Sequence, residues 1–120
     1  MSDALQQLID AVEAGKAITS SDAMNGLSRG LGYDEAIEVA SDAVKAFGGS
    51  LDAAKALHEA LLPGWMLPCV VSHYVNGSHG VTVELYQRDG AGETVATNDS
   101  MARAWLLAIL KAYRQEAARE

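Results

Sequence analysis

The segment from Ser50 to Trp65 constrains the fold most, because a helical pattern there stops at a proline and leads directly into a strand pattern. Ser50 can cap the helix, and Pro63 cannot continue it. Beyond Trp65 the apolar spacing changes from helical to alternating. A helix joined so closely to a strand predicts one unit in which helices pack on a sheet. The buried stripe of this helix should be Ala54, Leu57, His58 and Leu61.

The region after this corner carries the signals of a β-meander. Residues 69–75 are strand formers, and the Asn76-Gly77 pair that follows them is a strong hairpin signal. Residues 89–93 predict a second turn, which leads into a short strand at 94–96. Three antiparallel strands are therefore expected. The buried face of the second strand should consist of Val81, Val83 and Leu85.

Amphipathic helices are predicted on both sides of the meander in the sequence. One begins near Ser100, with the residues from Glu116 onwards as a frayed tail. Another runs from Asp34 to about Phe47. Its inward face should contain Ile37, Ala40, Val44 and Phe47, and a helix near the start of the chain should bury Leu5, Leu8, Ile9 and Val12.

The length of 120 residues fits one domain. We expect a single α+β domain over 1–120, with a helical N-terminal part at 1–47 and a helix–meander–helix core at 48–115. The meander should be packed with amphipathic helices as a helix–sheet–helix sandwich. The N-terminal helices would then either cover the second face of the sheet or extend the helical layer.

The chain is acidic, and its charge is unevenly distributed. Sixteen acidic and nine basic residues give a formal charge of -7, which is the wrong sign for direct binding to nucleic acid. Residues 1–60 hold ten of the acidic residues and four of the basic ones. This acidity is either a solvated face or a surface that docks on a basic partner or imitates nucleic acid. The candidate docking residues are Glu35, Glu38 and Asp42.

Cysteine usage and hydropathy indicate the compartment. Cys69 is the single cysteine, so no internal disulfide forms, and a buried, inert thiol is expected. The first residues lack the basic and apolar parts of a signal peptide, and no apolar run is long enough to span a bilayer. We therefore expect a cytoplasmic protein without a membrane partner.

Two stretches of the chain resemble a known family of small proteins. Residues 47–65 read FGGSLDAAKALHEALLPGW, and residues 100–112 read SMARAWLLAILKA. Over 47–65 and 80–114 the chain resembles the phage ABA sandwich domain family, in its serine-leucine-aspartate-alanine helix, its proline-glycine-tryptophan corner and its closing helix. Met101 stands where the family usually has proline. The resemblance implies a phage or prophage origin, a host-cell cytoplasmic location and a helix–sheet sandwich, but no activity and no functional residues.

Three potential metal ligands surround the predicted hairpin. His73 and His79 flank the turn, and Glu84 follows on the returning strand. No HExxH motif, paired CxxC motif or histidine-rich cluster accompanies them. Polar residues beside a turn are the simpler interpretation. A metal-dependent enzyme that uses these three residues is one alternative function, although the sequence carries no cofactor-binding motif.

The tyrosines of the meander provide a binding hypothesis. Tyr74 and Tyr86 are predicted on the sheet face opposite the valines and leucine of 81–85. Exposed there, they would form a self-association surface or a stacking platform, whereas packing against an N-terminal helix is the structural alternative. Together with Arg88 and Arg103 they would line a pocket for a small nucleotide-like ligand at an interface between subunits.

These observations favour a non-catalytic protein that binds a protein partner and associates with itself as a homo-oligomer. If the resemblance holds, the partner is a host or phage protein, and an inhibitor of a bacterial defence system is one concrete version. The two alternatives are the nucleotide-like ligand pocket and the metal-dependent enzyme.

Overall fold

The computed structural model describes residues 4–27, 31–66, 68–75, 78–88, 93–98 and 100–119, without the side chains of 74, 75, 78, 79 and 117–119. Five helices and three strands follow one another within these residues. In chain order they are α1 Ala4–Glu13, α2 Ser20–Leu27, α3 Tyr33–Phe47, α4 Leu51–Leu61, β1 Cys69–Val75, β2 Ser78–Tyr86, β3 Glu93–Asn98 and α5 Met101–Arg119. The α+β class with an antiparallel meander is confirmed.

The corner after α4 forms as its sequence predicts. The Ser50 hydroxyl accepts a hydrogen bond from the Ala53 N–H at 3.1 Å, which caps the helix. The corner is then tied to the sheet, since Met66 N–H donates to the Tyr86 carbonyl and Arg88 N–H donates to the Gly64 carbonyl, both at 2.9 Å. The end of α4 is therefore fixed to the end of β2.

The three strands pair in the order β1-β2-β3 with continuous register. Val75 lies opposite Ser78, so two residues connect β1 and β2. The turn residues 76–77 and 89–92 themselves lie outside the described residues. β3 covers more than the predicted 94–96, and the predicted buried set of β2 is confirmed: Val81, Val83 and Leu85.

In the described residues the helices lie on one side of the sheet, so of the two predicted placements the N-terminal helices take the second and extend the helical layer. Within the described residues α5 packs against β2 and β3, and α1, α3 and α4 pack against α5. The opposite sheet face leaves Val71 53% and Val95 44% exposed. The reason lies in α5, which is apolar around most of its circumference and is buried from Ala104 to Leu110. It therefore forms the middle layer, between the sheet and the other helices.

Two helical predictions need correction. The inward face of α3 is formed by Ala36, Val39, Ala40, Ala43, Ala46 and Phe47, whereas Ile37 is 41% exposed and Val44 is half-buried. Alanine side chains are small and allow neighbouring helices to approach closely. The α3 helix therefore turns its alanines inward and leaves the larger Ile37 at the surface. The frayed tail from Glu116 is also wrong, because α5 continues to Arg119. The Glu116 carboxylate accepts hydrogen bonds from Trp65 Nε1 at 3.1 Å and Gln87 Nε2 at 2.9 Å.

No described helix combines the length and the apolar character that crossing a bilayer requires.

Candidate functional site

The sheet face turned away from α5, here called the open face, carries a row of polar side chains across all three strands. His73 Nε2 lies 3.0 Å from the Thr82 hydroxyl, which lies 3.0 Å from the Thr97 hydroxyl. A Cβ atom at Gly80 would stand 2.6 Å from His73 Cε1, so the glycine leaves space for the ring. These side chains are hydrogen-bonded to one another, and the row therefore links the three strands.

The register separates the three predicted metal ligands. His73 pairs with Gly80, and Cys69 pairs with Glu84, so His73 and Glu84 belong to the open face. His79 is an odd-numbered position of β2 and belongs to the face of Val81. Glu84 accepts a hydrogen bond from the Tyr86 hydroxyl. No group of three His, Cys, Asp or Glu within the described ranges is placed to hold a metal ion.

The register positions of Tyr74 and Tyr86 lie on opposite faces of the sheet, contrary to the predicted aromatic platform. Tyr74 pairs with His79, so its register position lies on the α5 side of the sheet. Tyr86 lies on the open face, where the hydrogen bond to Glu84 raises the pKa of its hydroxyl to about 12. A phenol held by a carboxylate in this way stays protonated, and it is unsuited to act as a base near neutral pH.

The two arginines of the predicted pocket are also separated. Arg103, in the first turn of α5, donates from Nε to the Phe47 carbonyl at 2.7 Å and places its guanidinium 4.3 Å from the Phe47 ring centre. Arg88 follows Gln87, which bonds Glu116 near the other end of α5. The usual helical rise puts these two ends about 20 Å apart. Within one copy of the chain, Arg88 and Arg103 therefore do not line one nucleotide-sized pocket.

Arg88 instead lines a cleft of about 390 Å³ at the corner. The other lining residues are His58, Glu59, Leu62, Pro63 and Trp65. Both charged residues are exposed, while His58 and Trp65 form the buried part. The arrangement offers an apolar wall with one cation and one anion at its rim.

His58 is held on both ring nitrogens. Trp105 Nε1–H donates to its Nδ1 at 3.2 Å, and its Nε2 lies 3.4 Å from the Trp65 carbonyl. An indole nitrogen can only donate, so Nδ1 is the unprotonated nitrogen and the ring is neutral. Burial lowers the pKa of His58, against the opposing effects of the Trp65 carbonyl and the Glu59 charge. Because both nitrogens are engaged, His58 stabilises the corner and is not free to act as a general base.

The acidic residues of α3 lie together, as their spacing predicts. Glu35 and Glu38 are exposed, and Asp42 is half-buried. Burial raises the pKa of Asp42, Lys45 lowers it, and Glu38 raises it. Sequence reasoning missed the neighbours of this row, Tyr33 and Ile37, which are 76% and 41% exposed. The available signal was Tyr33 itself, an aromatic residue beside Asp34 that fits no buried helical stripe.

Cys69 is exposed, which corrects the expected buried thiol. It opens β1 on the open face, opposite Glu84. Its exposure follows from the position of β1 at the edge of the sheet, on the face that α5 does not cover.

Comparisons with protein-family models, with curated proteins and with solved structures gave no match to this chain. The resemblance to the phage ABA sandwich domain family therefore stays a hypothesis, based on the corner and the closing helix.

Proposed function

We propose that this chain is a non-catalytic protein-binding module that docks α3 in a basic groove of a partner protein. The observation that carries the proposal is the exposure of Tyr33 and Ile37 on the same helix as an acidic row. We call these residues together the α3 docking face: Tyr33, Asp34, Glu35, Ile37, Glu38 and Asp42.

At about 100° per residue, the apolar and the acidic residues of the α3 docking face lie on opposite flanks of the exposed half of α3, which suits a groove with one apolar wall and one basic wall. Tyr33 and Ile37 are four residues apart and form one stripe, while Glu35, Glu38 and Asp42 form a second stripe at i, i+3 and i+7. Burying an apolar side chain of this size contributes about 1.5–3 kcal/mol. The carboxylates add steering and partner selection more than affinity. Anchors and charges on one helix correspond to the helix-in-groove mode of recognition.

The family resemblance suggests which kind of partner protein α3 would bind. If the family resemblance holds, the partner is a bacterial host or phage protein, and an inhibitor of a bacterial defence system is the version we favour. The net charge of -7 supports a basic partner surface.

Site-specific photo-crosslinking tests the docking face directly. Benzoylphenylalanine replaces Ile37 in one variant and Ala60, an exposed residue of α4, in the matched control. We expect the Ile37 variant to crosslink one basic protein in a bacterial lysate, and the Ala60 variant to leave that protein unlabelled. Equal labelling from both positions would remove α3 from the proposal.

Charge removal provides the second measurement on the captured protein. The double change Glu35→Gln and Glu38→Gln is compared with Asp52→Asn and Glu59→Gln on α4, which removes the same charge and also includes one acidic residue in the first turn of a helix. We expect the α3 pair to weaken the measured affinity by roughly tenfold, equivalent to about 1.4 kcal/mol. Equal affinity for both double variants would show that the acidic row has no specific role.

A further inference from the structure

The outer edge of β1 is free of backbone pairing in the part of the chain that the structure describes. β1 stands first in the sheet order, and each of its residues from Cys69 to Val75 pairs with β2 on one side only. No backbone hydrogen bond to its other side occurs among the described residues. Such an edge presents N–H and C=O groups that can bind a further strand.

β1 lacks the features by which natural edge strands usually avoid such pairing. Its sequence, CVVSHYV, contains no Lys, Arg, Asp, Glu or Pro, and its register with β2 runs without a bulge. The opposite edge differs, since β3 begins with Glu93, whose carbonyl accepts a hydrogen bond from Gln115 Nε2 of α5 at 2.9 Å. Of the two edges, β1 is therefore the one suited to accept a strand.

Exposed apolar side chains lie on both faces of this edge. Val70 is 36% exposed on the α5 side, and Val71 is 53% exposed on the open face. A strand added beside β1 would place its own side chains next to both valines, because side chains of paired strands lie beside one another on each face. The edge thus offers apolar contacts as well as hydrogen bonds.

We propose that β1 pairs antiparallel with β1 of a second copy of this chain, which joins two meanders into one six-stranded sheet. The composition of β1 is compatible with its own copy: two chains of -7 repel over most of their surface, but β1 contains no Asp, Glu, Lys or Arg, so two copies can meet along this strand without bringing like charges into contact. A two-fold axis at Ser72 sets Ser72 opposite Ser72, and Val71 opposite His73, with no like charges facing each other. The dimer uses a surface distinct from the α3 docking face and does not rest on the proposed function.

The surface area buried along β1 determines how tightly two copies are expected to bind. One seven-residue strand edge is smaller than the interfaces of about 800 Å² per partner that hold stable complexes. We therefore expect a dimer that forms with rising protein concentration rather than an obligate one.

Disulfide trapping tests the register. Ser72→Cys is made in a Cys69→Ser background, and Thr97→Cys, at an exposed position of β3, is the matched control. Opposed residues of an antiparallel pair lie about 4.5–5.5 Å apart between Cα atoms, within disulfide reach. With oxidised glutathione as oxidant, we expect the Ser72→Cys dimer to form much faster than the Thr97→Cys dimer. Equal rates would overturn the pairing at Ser72.

Sedimentation equilibrium under reducing conditions tests the dimer without a crosslink. The wild type should shift from monomer to dimer between micromolar and millimolar concentration, Val71→Lys should stay monomeric, and Val95→Lys should behave as the wild type. Circular dichroism checks that both variants fold. A monomeric wild type at every concentration, or equal dimerisation of the two lysine variants, would overturn the proposal. In the second case another surface joins the copies.

Discussion

The corner and α3 both carry aromatic and charged residues, yet their surroundings differ completely. At the corner, His58, Trp65 and Trp105 are buried, and each of their side-chain nitrogens has a hydrogen-bond partner. On α3, Tyr33 and Ile37 are exposed, and the part of the chain that the structure describes places no helix or strand over them. The corner residues are fixed by the fold, whereas the α3 residues have no comparable structural role.

This difference separates residues that hold the fold from residues that are available for binding. Burying a large side chain and satisfying its polar atoms contribute to the free energy of unfolding. Leaving large apolar side chains in water contributes nothing comparable, so such positions are the first place to look for a partner surface. Substitutions at the two regions should therefore affect different measurements.

The largest expected effect comes from Trp105→Ala. Removing a buried tryptophan costs about 3–5 kcal/mol, and the change also leaves the Nδ1 of His58 without its donor. Tyr33→Ala, the matched change on α3, should alter the free energy of unfolding by less than about 0.5 kcal/mol. Urea denaturation followed by circular dichroism measures both. A cost above about 1 kcal/mol for Tyr33→Ala would show that the α3 docking face has a structural role.

The next effect is a pH dependence of stability that originates at His58. Its pKa is lowered in the folded protein, so between that value and its ordinary value near 6.5 the unfolded chain binds more protons. The stabilisation is complete above about pH 6.5 and is lost as the pH falls through this window, by at most about 1.4 kcal/mol per pH unit. Glu59, Glu116 and Arg88 also face this corner and contribute their own charges.

A matched pair of variants isolates the histidine. His58→Gln should remove the part of the slope that lies between the two pKa values, whereas His73→Gln on the open face should retain it. The free energy of unfolding is measured by urea denaturation at several pH values from about 5 to about 7.5. A slope that survives in His58→Gln would assign the pH dependence to other groups.

Local patterns predicted the elements of the fold but not the order of its layers. The Ser50 cap, the buried stripe of α1 and the alternation in β2 depend on near neighbours in the sequence, and all three are observed. The face of α3 and the central place of α5 depend on how several helices share limited space. Small residues such as Ala36 and Ala43 decide that competition, although their apolar signal is weak.

The opposite register positions of Tyr74 and Tyr86 could have been predicted from the sequence. A two-residue hairpin at Asn76-Gly77 sets Val75 opposite Ser78, and this alone places Tyr74 opposite His79, on the other face from Tyr86. The contact between His58 and Trp105 offered no such local signal, because 47 positions separate the two residues. Tertiary packing brings them together, so a helical stripe could suggest burial of His58 but not its partner.

The smallest expected effect distinguishes Asp42 from the acidic residues that only face solvent. Its raised pKa means that the charged carboxylate is less favourable in the folded than in the unfolded chain, chiefly because of burial. Asp42→Asn should therefore leave the free energy of unfolding at pH 7 unchanged or raise it by less than about 0.5 kcal/mol.

The control variant, Asp52→Asn, should lower the free energy of unfolding by about 0.3–1 kcal/mol, because Asp52 interacts favourably with the N-terminal end of α4. The effect of Asp42→Asn should shrink as the pH falls below the ordinary aspartate value near 3.8, because the carboxylate is then protonated. A loss of stability in both variants at pH 7 would place Asp42 with the stabilising residues of the fold and leave Glu35 and Glu38 as the acidic part of the docking face.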